Sequence, residues 1–234
     1  MSDMNFRALL GRGREWLGRI RIGRPADSPP GSVGLLALRL ERDLPRSGKG
    51  RSTLIAATDD DVVGAETAVE LAWSLAEELG HSVLLVDGTF EVAALSTALG
   101  LAARQGVAEL LDAGTPNHAA LQSLVQPTMH ERISVLPRGI DNTNRATRWD
   151  AVRHLVTLAS EHYEFVLVQG SIQAEGSPSL LFSSVVNAAL LVAVEEKTLV
   201  DQITRGQRLL NDCGASRVAL VLTNRPEPLS PKAP

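Results

Sequence analysis

Between the apolar run Thr53–Thr58 and the helix-forming run Thr67–Gly80 stands the segment Asp59-Asp60-Asp61-Val62-Val63-Gly64-Ala65-Glu66. A turn from a buried strand into a helix is where a protein can cradle phosphate, and that chemistry has fixed requirements. It takes glycines whose backbone N–H groups curl round the anion, a lysine for the β- and γ-phosphates, and a hydroxyl for Mg²⁺. This segment supplies carboxylates instead. Three successive acids at the mouth of a helix repel a triphosphate, although a helix N-terminus by itself favours anions. A second segment, Gly48-Lys49-Gly50-Arg51-Ser52-Thr53, has glycines, a lysine and hydroxyls. It precedes the strand rather than following it, which is the wrong order for phosphate binding, and it reads as a flexible basic linker.

The remaining reactive side chains are sparse. His81, His118, His130, His154 and His162 show no metal-ligand spacing. Cys213 is the single cysteine, so no disulfide forms within the chain, and its neighbours Asp212 and Gly214 offer no basic activation of the thiol. Tyr163 is the single tyrosine and precedes a buried strand.

The elements that must position these residues alternate along the chain. Strands are expected at Thr53–Thr58, Ser82–Asp87, Ile133–Leu136, Phe165–Val168, Ala189–Val194 and Arg217–Leu222, and helices over Val33–Leu44, Thr67–Gly80, about Thr147–Ser160 and about Leu199–Asp212. Runs such as VLLVD, FVLV, ALLVAV and VALVL are apolar on both faces, the pattern of parallel strands buried between helices. A chain of 234 residues is long enough for one full α/β core. No apolar run reaches membrane-spanning length and no signal-peptide pattern opens the chain.

Six segments carry a resemblance by their order and spacing: Glu70-Leu71-Ala72, Leu84–Asp87, Gly106–Leu111, Leu136–Gly139, Glu164–Val168 and Val221–Asn224. Over roughly residues 31–226 the chain resembles the cytoplasmic ATPase-like domain of bacterial polysaccharide co-polymerase tyrosine kinases, a branch of the deviant-Walker group that includes MinD and ParA. The resemblance implies a doubly wound, mainly parallel P-loop-NTPase-like sheet. It places the nucleotide site residue by residue: Gly64 at the lysine position, Ala65 and Glu66 at the Ser/Thr positions, Asp87 at the first acid, Gln169 at the later acid, and Asn224 at the residue that faces the base. Thr89 and Glu91 replace a further acid and an arginine. With lysine, hydroxyl and acid all replaced, the resemblance implies a degenerate, pseudo-kinase-like site with no catalytic residue, no metal and no cofactor. The tyrosine-rich tail of active members is absent as well; the chain ends NRPEPLSPKAP.

The implied role is a regulatory or scaffold partner of a membrane polysaccharide co-polymerase in exopolysaccharide, capsule or holdfast export, cytoplasmic and peripheral on the inner membrane, with no nucleic-acid partner. The alternative is a working ATP- and magnesium-dependent tyrosine kinase or ATPase, and more distantly a ParA- or MinD-like positioning protein. Active members carry a Glu-x-x-Arg-x-x-Arg helix that joins subunits into a ring. Here Arg39 and Arg42 match the arginines and Leu36 stands at the glutamate, so a homo-oligomer seam and plain exposed arginines are both open.

Charge divides the chain. Residues 1–52 hold eleven basic and five acidic side chains, whereas the whole chain nets −4. Within Asn5–Arg24, helical spacing gathers Phe6, Leu9, Leu10, Leu17 and Ile20 near one face, with arginines around the other arc, while Gly11, Gly13 and Gly18 weaken an isolated helix. The segment suits an anionic membrane surface or a partner's groove, or stands as a solvated basic tail. The expected organisation is a basic segment and Pro-rich linker over 1–30, the α/β domain over 31–226 and a Pro-rich tail over 227–234.

Overall fold

A computed structural model describes residues 32–90, 93–112, 114, 116–140, 149–173 and 176–223. The expectations for Asn5–Arg24, for the linker and for Asn224 lie outside the described residues.

Seven strands form one sheet: β1 (Arg51–Ala57), β2 (Val83–Asp87), β3 (Gln126–Pro127), β4 (Ile133–Leu136), β5 (Phe165–Ser171), β6 (Ala188–Val194) and β7 (Val218–Thr223). Their order is β3-β4-β2-β5-β1-β6-β7, and all pairings are parallel except β3 with β4. The helices are α1 (Ser32–Asp43), α2 (Asp61–Trp73, continued as a π turn over Ser74–Glu78), α3 (Ala94–Ala98), α4 (Val107–Asp112), α5 (His118–Leu124), α6 (Trp149–His162) and α7 (Val200–Asp212), with a 3₁₀ segment at Pro178–Ser184. Every residue of β1, β2 and β5 is buried. Alternation along the strands then splits the interior into two cores. Ile55, Leu85, Leu167 and Leu190 point under α1, α2 and α3, while Leu54, Leu84, Val166 and Leu191 point under α4 to α7.

Three local readings are corrected by the structure. The helix expected from Thr67 starts at Asp61, because Asp60 caps it, so six residues assigned to a turn form its opening turns. Strand β5 continues past Val168 through Ser171, held by the register Ile55↔Gln169 and Ala57↔Ser171. The run expected to be a flexible basic linker is a tight turn leading into the sheet: Ser47 N–H donates to Gly50 O (2.7 Å), and Arg51 is buried in β1. A fourth correction concerns β7, which was expected to be buried on both faces. Among the described residues it is the outer strand, and Leu220 and Leu222 are half-exposed.

Arg51 explains why α1 belongs to the domain. Its guanidinium donates to Leu44 O (3.1 Å) and Glu41 O (2.8 Å), carbonyls at the C-terminal end of α1 that the helix itself leaves open. It also lies over the Phe165 ring at 5.4 Å, and burial pulls its pKa below the ordinary arginine value. Arg217 adds a second donor to the same helix end, reaching Asp43 O at 2.7 Å. Beside Arg51, His81 reaches Glu41 Oε1 (2.8 Å) on α1 and Glu164 Oε1 (3.3 Å) before β5.

Two of the short segments that carried the resemblance are docked on each other. Val107 N–H donates to Pro137 O and Ala108 N–H to Arg138 O, both at 2.8 Å. The Glu109 carboxylate then accepts from Gly106 N–H (2.7 Å) and Ile140 N–H (2.8 Å). A Cβ on Gly106 would fall 1.9 Å from Pro137 O, and Gly139 sits at φ +111°, so both glycines are steric requirements of this junction.

Glu164 gives the fold a defined acid response. Its carboxyl lies below the ordinary value of 4.5, first because it accepts the Ser82 N–H (2.9 Å), with burial opposing and the His81 bond adding to the shift. A carboxylate with a depressed folded pKa stabilises the protein above its unfolded pKa, and that contribution is lost as pH falls through the folded value. Urea unfolding of the wild type and Glu164→Gln should therefore show the wild-type advantage at neutral pH shrinking as pH falls below about 4.5. An advantage independent of pH would mean that the carboxylate charge is not what the Ser82 N–H and His81 hold.

Candidate functional site

The candidate site is the junction where β1 turns into α2, flanked by the ends of β2, β5 and β6. The first N–H groups of a helix have no partner within it and must find an acceptor. In a nucleotide-binding loop that acceptor is phosphate. Here the chain supplies its own. Val62 N–H donates to Asp60 Oδ1 (2.9 Å), while Val63 N–H and Gly64 N–H make the ordinary opening bonds of the helix to Asp60 O (3.0 and 3.4 Å). Asp61 is buried in the first turn of α2, where a carboxylate suits the helix dipole. The residues at the expected lysine and hydroxyl positions are built into this packing. Gly64 and Ala65 are buried and Glu66 is half-buried. A Cβ on Gly64 would stand 3.4 Å from Ala57 N and 3.7 Å from Gln169 Nε2, ordinary contact distances in a close helix–strand approach.

Gln169, fully buried on β5, fills the space beneath that turn. Its Nε2 donates to Asp61 O (3.4 Å) and Gly170 O (3.3 Å), while Oε1 has no partner among the described residues. Both neighbours of the amide nitrogen are carbonyl oxygens. A carboxylate at this position would set a negative charge against two acceptors, whereas the carboxamide presents donors. The amide of Gln169 and the start of α2 at Asp61 thus belong to one arrangement.

Asp87, at the end of β2, has both carboxylate oxygens committed. Oδ1 accepts from Thr89 N–H (3.1 Å) and from the Thr89 hydroxyl, and Oδ2 accepts from Ser96 N–H (2.7 Å). The carboxylate ties the end of β2 to α3, within a fully buried position. On the other flank Asp59 Oδ2 accepts from Thr198 Oγ1 (2.9 Å), and Thr198 Oγ1 accepts from Val194 N–H (2.9 Å). The turn after β1 is thereby stitched to the turn after β6.

The structure therefore brings together Gly64, Ala65, Glu66 and Gln169 at one turn, and leaves Asp87 at the end of β2 beside Gln169 in register. Sequence reasoning missed Asp60 as a cap and Thr198 as the clasp on Asp59. An Asp directly before a helical run, followed by another acid in the first turn, is the signal that could have found the cap. Arg39 and Arg42 lie elsewhere, exposed on α1. Arg42 is paired with Asp43 at 2.7 Å in full solvent, with its pKa raised and that of Asp43 lowered by their hydrogen bond, a pair of little energetic consequence. Leu36, at the expected glutamate position, packs against the core. Burial, then the Asp212 charge, pushes the Cys213 thiol pKa up. Among the described residues no three metal-ligating side chains gather, and no helix is long and apolar enough to cross a membrane.

No protein-family profile matches the chain, and no curated protein does. Solved structures do. The BceF tyrosine kinase domain superposes with a TM-score of 0.67 at 18% identity, covering 83% of this chain and 77% of that one. The kinase domain of the Escherichia coli tyrosine kinase ETK gives 0.68 at 18% identity over 84% and 75%. The cell division ATPase MinD of Pyrococcus furiosus gives 0.60 at 19% identity over 74% and 71%. The chain thus has the fold common to bacterial tyrosine kinase domains and MinD- and ParA-type ATPases.

The closed turn makes a stability prediction. Asp60→Ala removes the cap and should cost about 1 kcal/mol, with Asp60→Asn close to wild type, because asparagine caps as well. Gly64→Ala should be neutral or stabilising by up to about 1 kcal/mol, since the position is helical and a Cβ has room. Denaturant melts of the three variants check this; a Gly64→Ala loss of several kcal/mol would show the approach of α2 to β1 to be tighter than described.

Proposed function

We propose that the chain is a catalytically inactive, tyrosine-kinase-like regulatory or scaffold partner of a membrane polysaccharide co-polymerase, acting in exopolysaccharide synthesis and export. The observation that carries this reading is the Asp60 cap: the Val62 N–H, a first-turn amide of the helix that would face a phosphate, is held by the protein's own carboxylate. The surrounding residues do not fit ATP·Mg²⁺. No lysine stands at Gly64 and no hydroxyl at Ala65 or Glu66. The Asp87 oxygens already accept three hydrogen bonds, and Gln169 offers an amide where the metal's water shell needs an acid. A working kinase or ATPase would have to dismantle this joint, so the site is read as structural.

What then remains functional is surface. Exposed Arg39 and Arg42 on α1 supply a seam for a cytoplasmic segment of the co-polymerase. The basic segment Asn5–Arg24, with Phe6, Leu9, Leu10, Leu17 and Ile20 on one expected face, supplies attachment to the anionic inner-membrane surface; each arginine near such a leaflet contributes about 1 kcal/mol.

Isothermal titration of the full chain with ATP·Mg²⁺ tests the reading directly. Each absent charged contact is worth about 1.5–3 kcal/mol, so no binding should register, and Gly64→Lys alone should not restore it. Micromolar affinity would overturn the assignment. Co-sedimentation with anionic liposomes should succeed at low salt for the full chain and fail for a chain beginning at Gly31; equal sedimentation would remove the membrane part of the proposal. Arg39→Glu/Arg42→Glu should abolish binding to a co-polymerase cytoplasmic segment, and unchanged binding would leave both as plain surface charge.

A further inference from the structure

An outer strand presents a row of open N–H and C=O groups, and natural proteins blunt such edges with charge, proline, a bulge or a cover. Strand β7 has none of the sequence devices. It reads Val218-Ala219-Leu220-Val221-Leu222-Thr223, and among the described residues only β6 pairs with it. The register with β6 assigns its faces. Leu220 lies beside Leu191 and Leu222 beside Ala193. Leu191 and Ala193 are each 1% exposed, yet Leu220 and Leu222 remain 48% and 58% exposed. At the C-terminal end of the strand, Glu195 N–H donates to Thr223 O (2.9 Å). Leu199 and Val200, also exposed, stand at the same end of the sheet where α7 begins.

The two ends of this edge carry opposite charge. Arg217 stands immediately before β7, exposed, with one guanidinium N–H donating to Asp43 O and its charge beside the exposed Arg39 and Arg42. At the other end the turn after β6 presents Glu195 and Glu196, which outweigh the adjacent Lys197. A strand that is apolar in the middle, basic at its start and acidic beside its end is complementary to itself when reversed.

We propose that β7 is a self-docking edge, and that a second copy of this chain pairs its own β7 antiparallel to it. A two-fold axis perpendicular to the sheet keeps like faces on the same side. It thereby brings Leu220 and Leu222 of both copies onto one continuous apolar surface, pairs the backbone groups of β7 that have no partner among the described residues, and sets the basic end of each copy's edge near the Glu195-Glu196 turn of the other. This seam is separate from the arginines of α1 and does not rest on the state of the nucleotide site.

Sedimentation velocity of the full chain at micromolar concentration is the test. The wild type should sediment as a dimer that weakens as salt rises. Leu220→Lys/Leu222→Lys should sediment as a monomer with an unchanged circular dichroism spectrum and melting temperature, because both side chains are already half in solvent. Glu195→Arg/Glu196→Arg should weaken the dimer, and Arg39→Glu/Arg42→Glu should leave it intact. A monomeric wild type, as expected if another protein's strand or the chain's own termini cover the edge, would overturn the proposal. So would a dimer that survives the lysine pair or is lost with the α1 pair alone.

Discussion

A helix that opens toward the end of a parallel sheet needs an acceptor for its first amides, and much of this structure follows from where that acceptor comes from. In this chain it is Asp60, one residue outside the helix. Once the carboxylate is in place, α2 can begin at Asp61 and press Gly64 close to Ala57 and Gln169. The carboxamide of Gln169 on β5 then donates to the carbonyl of Asp61 from beneath. The adjoining Asp59 is drawn to Thr198 and fixes the turn after β6. The cap on Asp60, the Gln169 amide under Asp61 and the Asp59–Thr198 clasp thus gather around one turn.

The opposite end of the sheet is organised by a single buried cation. Arg51 enters β1 and caps α1 through two carbonyls, while His81 links Glu41 of α1 to Glu164. The exposed face of α1 is consequently presented at a fixed angle rather than on a tether. That matters for any partner that reads Arg39 and Arg42, because they are spaced on a helix held by the domain itself.

Much of the sheet was legible from residues alone, since VLLVD, FVLV and ALLVAV have no polar face to offer water, and Ile133–Leu136 was placed with its observed bounds. The failures share a physical cause. Asp59–Asp61 announce repulsion for phosphate, and the same acids are good caps, so the start of α2 was read as loop. Arg51 follows a glycine-rich basic run, and only the distant carbonyls of Glu41 and Leu44 make it a buried strand residue. β7 has the composition of a central strand, and nothing local tells an edge from a centre. At the site, the residue types were readable, but the bond from Gln169 to Asp61 O joins residues 108 positions apart in sequence.

A helix that carries its own anion also changes what the folded population responds to. A protein whose first turn is completed by a bound ligand gains stability in proportion to the logarithm of that ligand's concentration, so its abundance tracks supply. Because Asp60 is covalently part of the chain, its effective concentration at the helix end is constant. The stability that this cap contributes is therefore the same at every concentration of dissolved ligand.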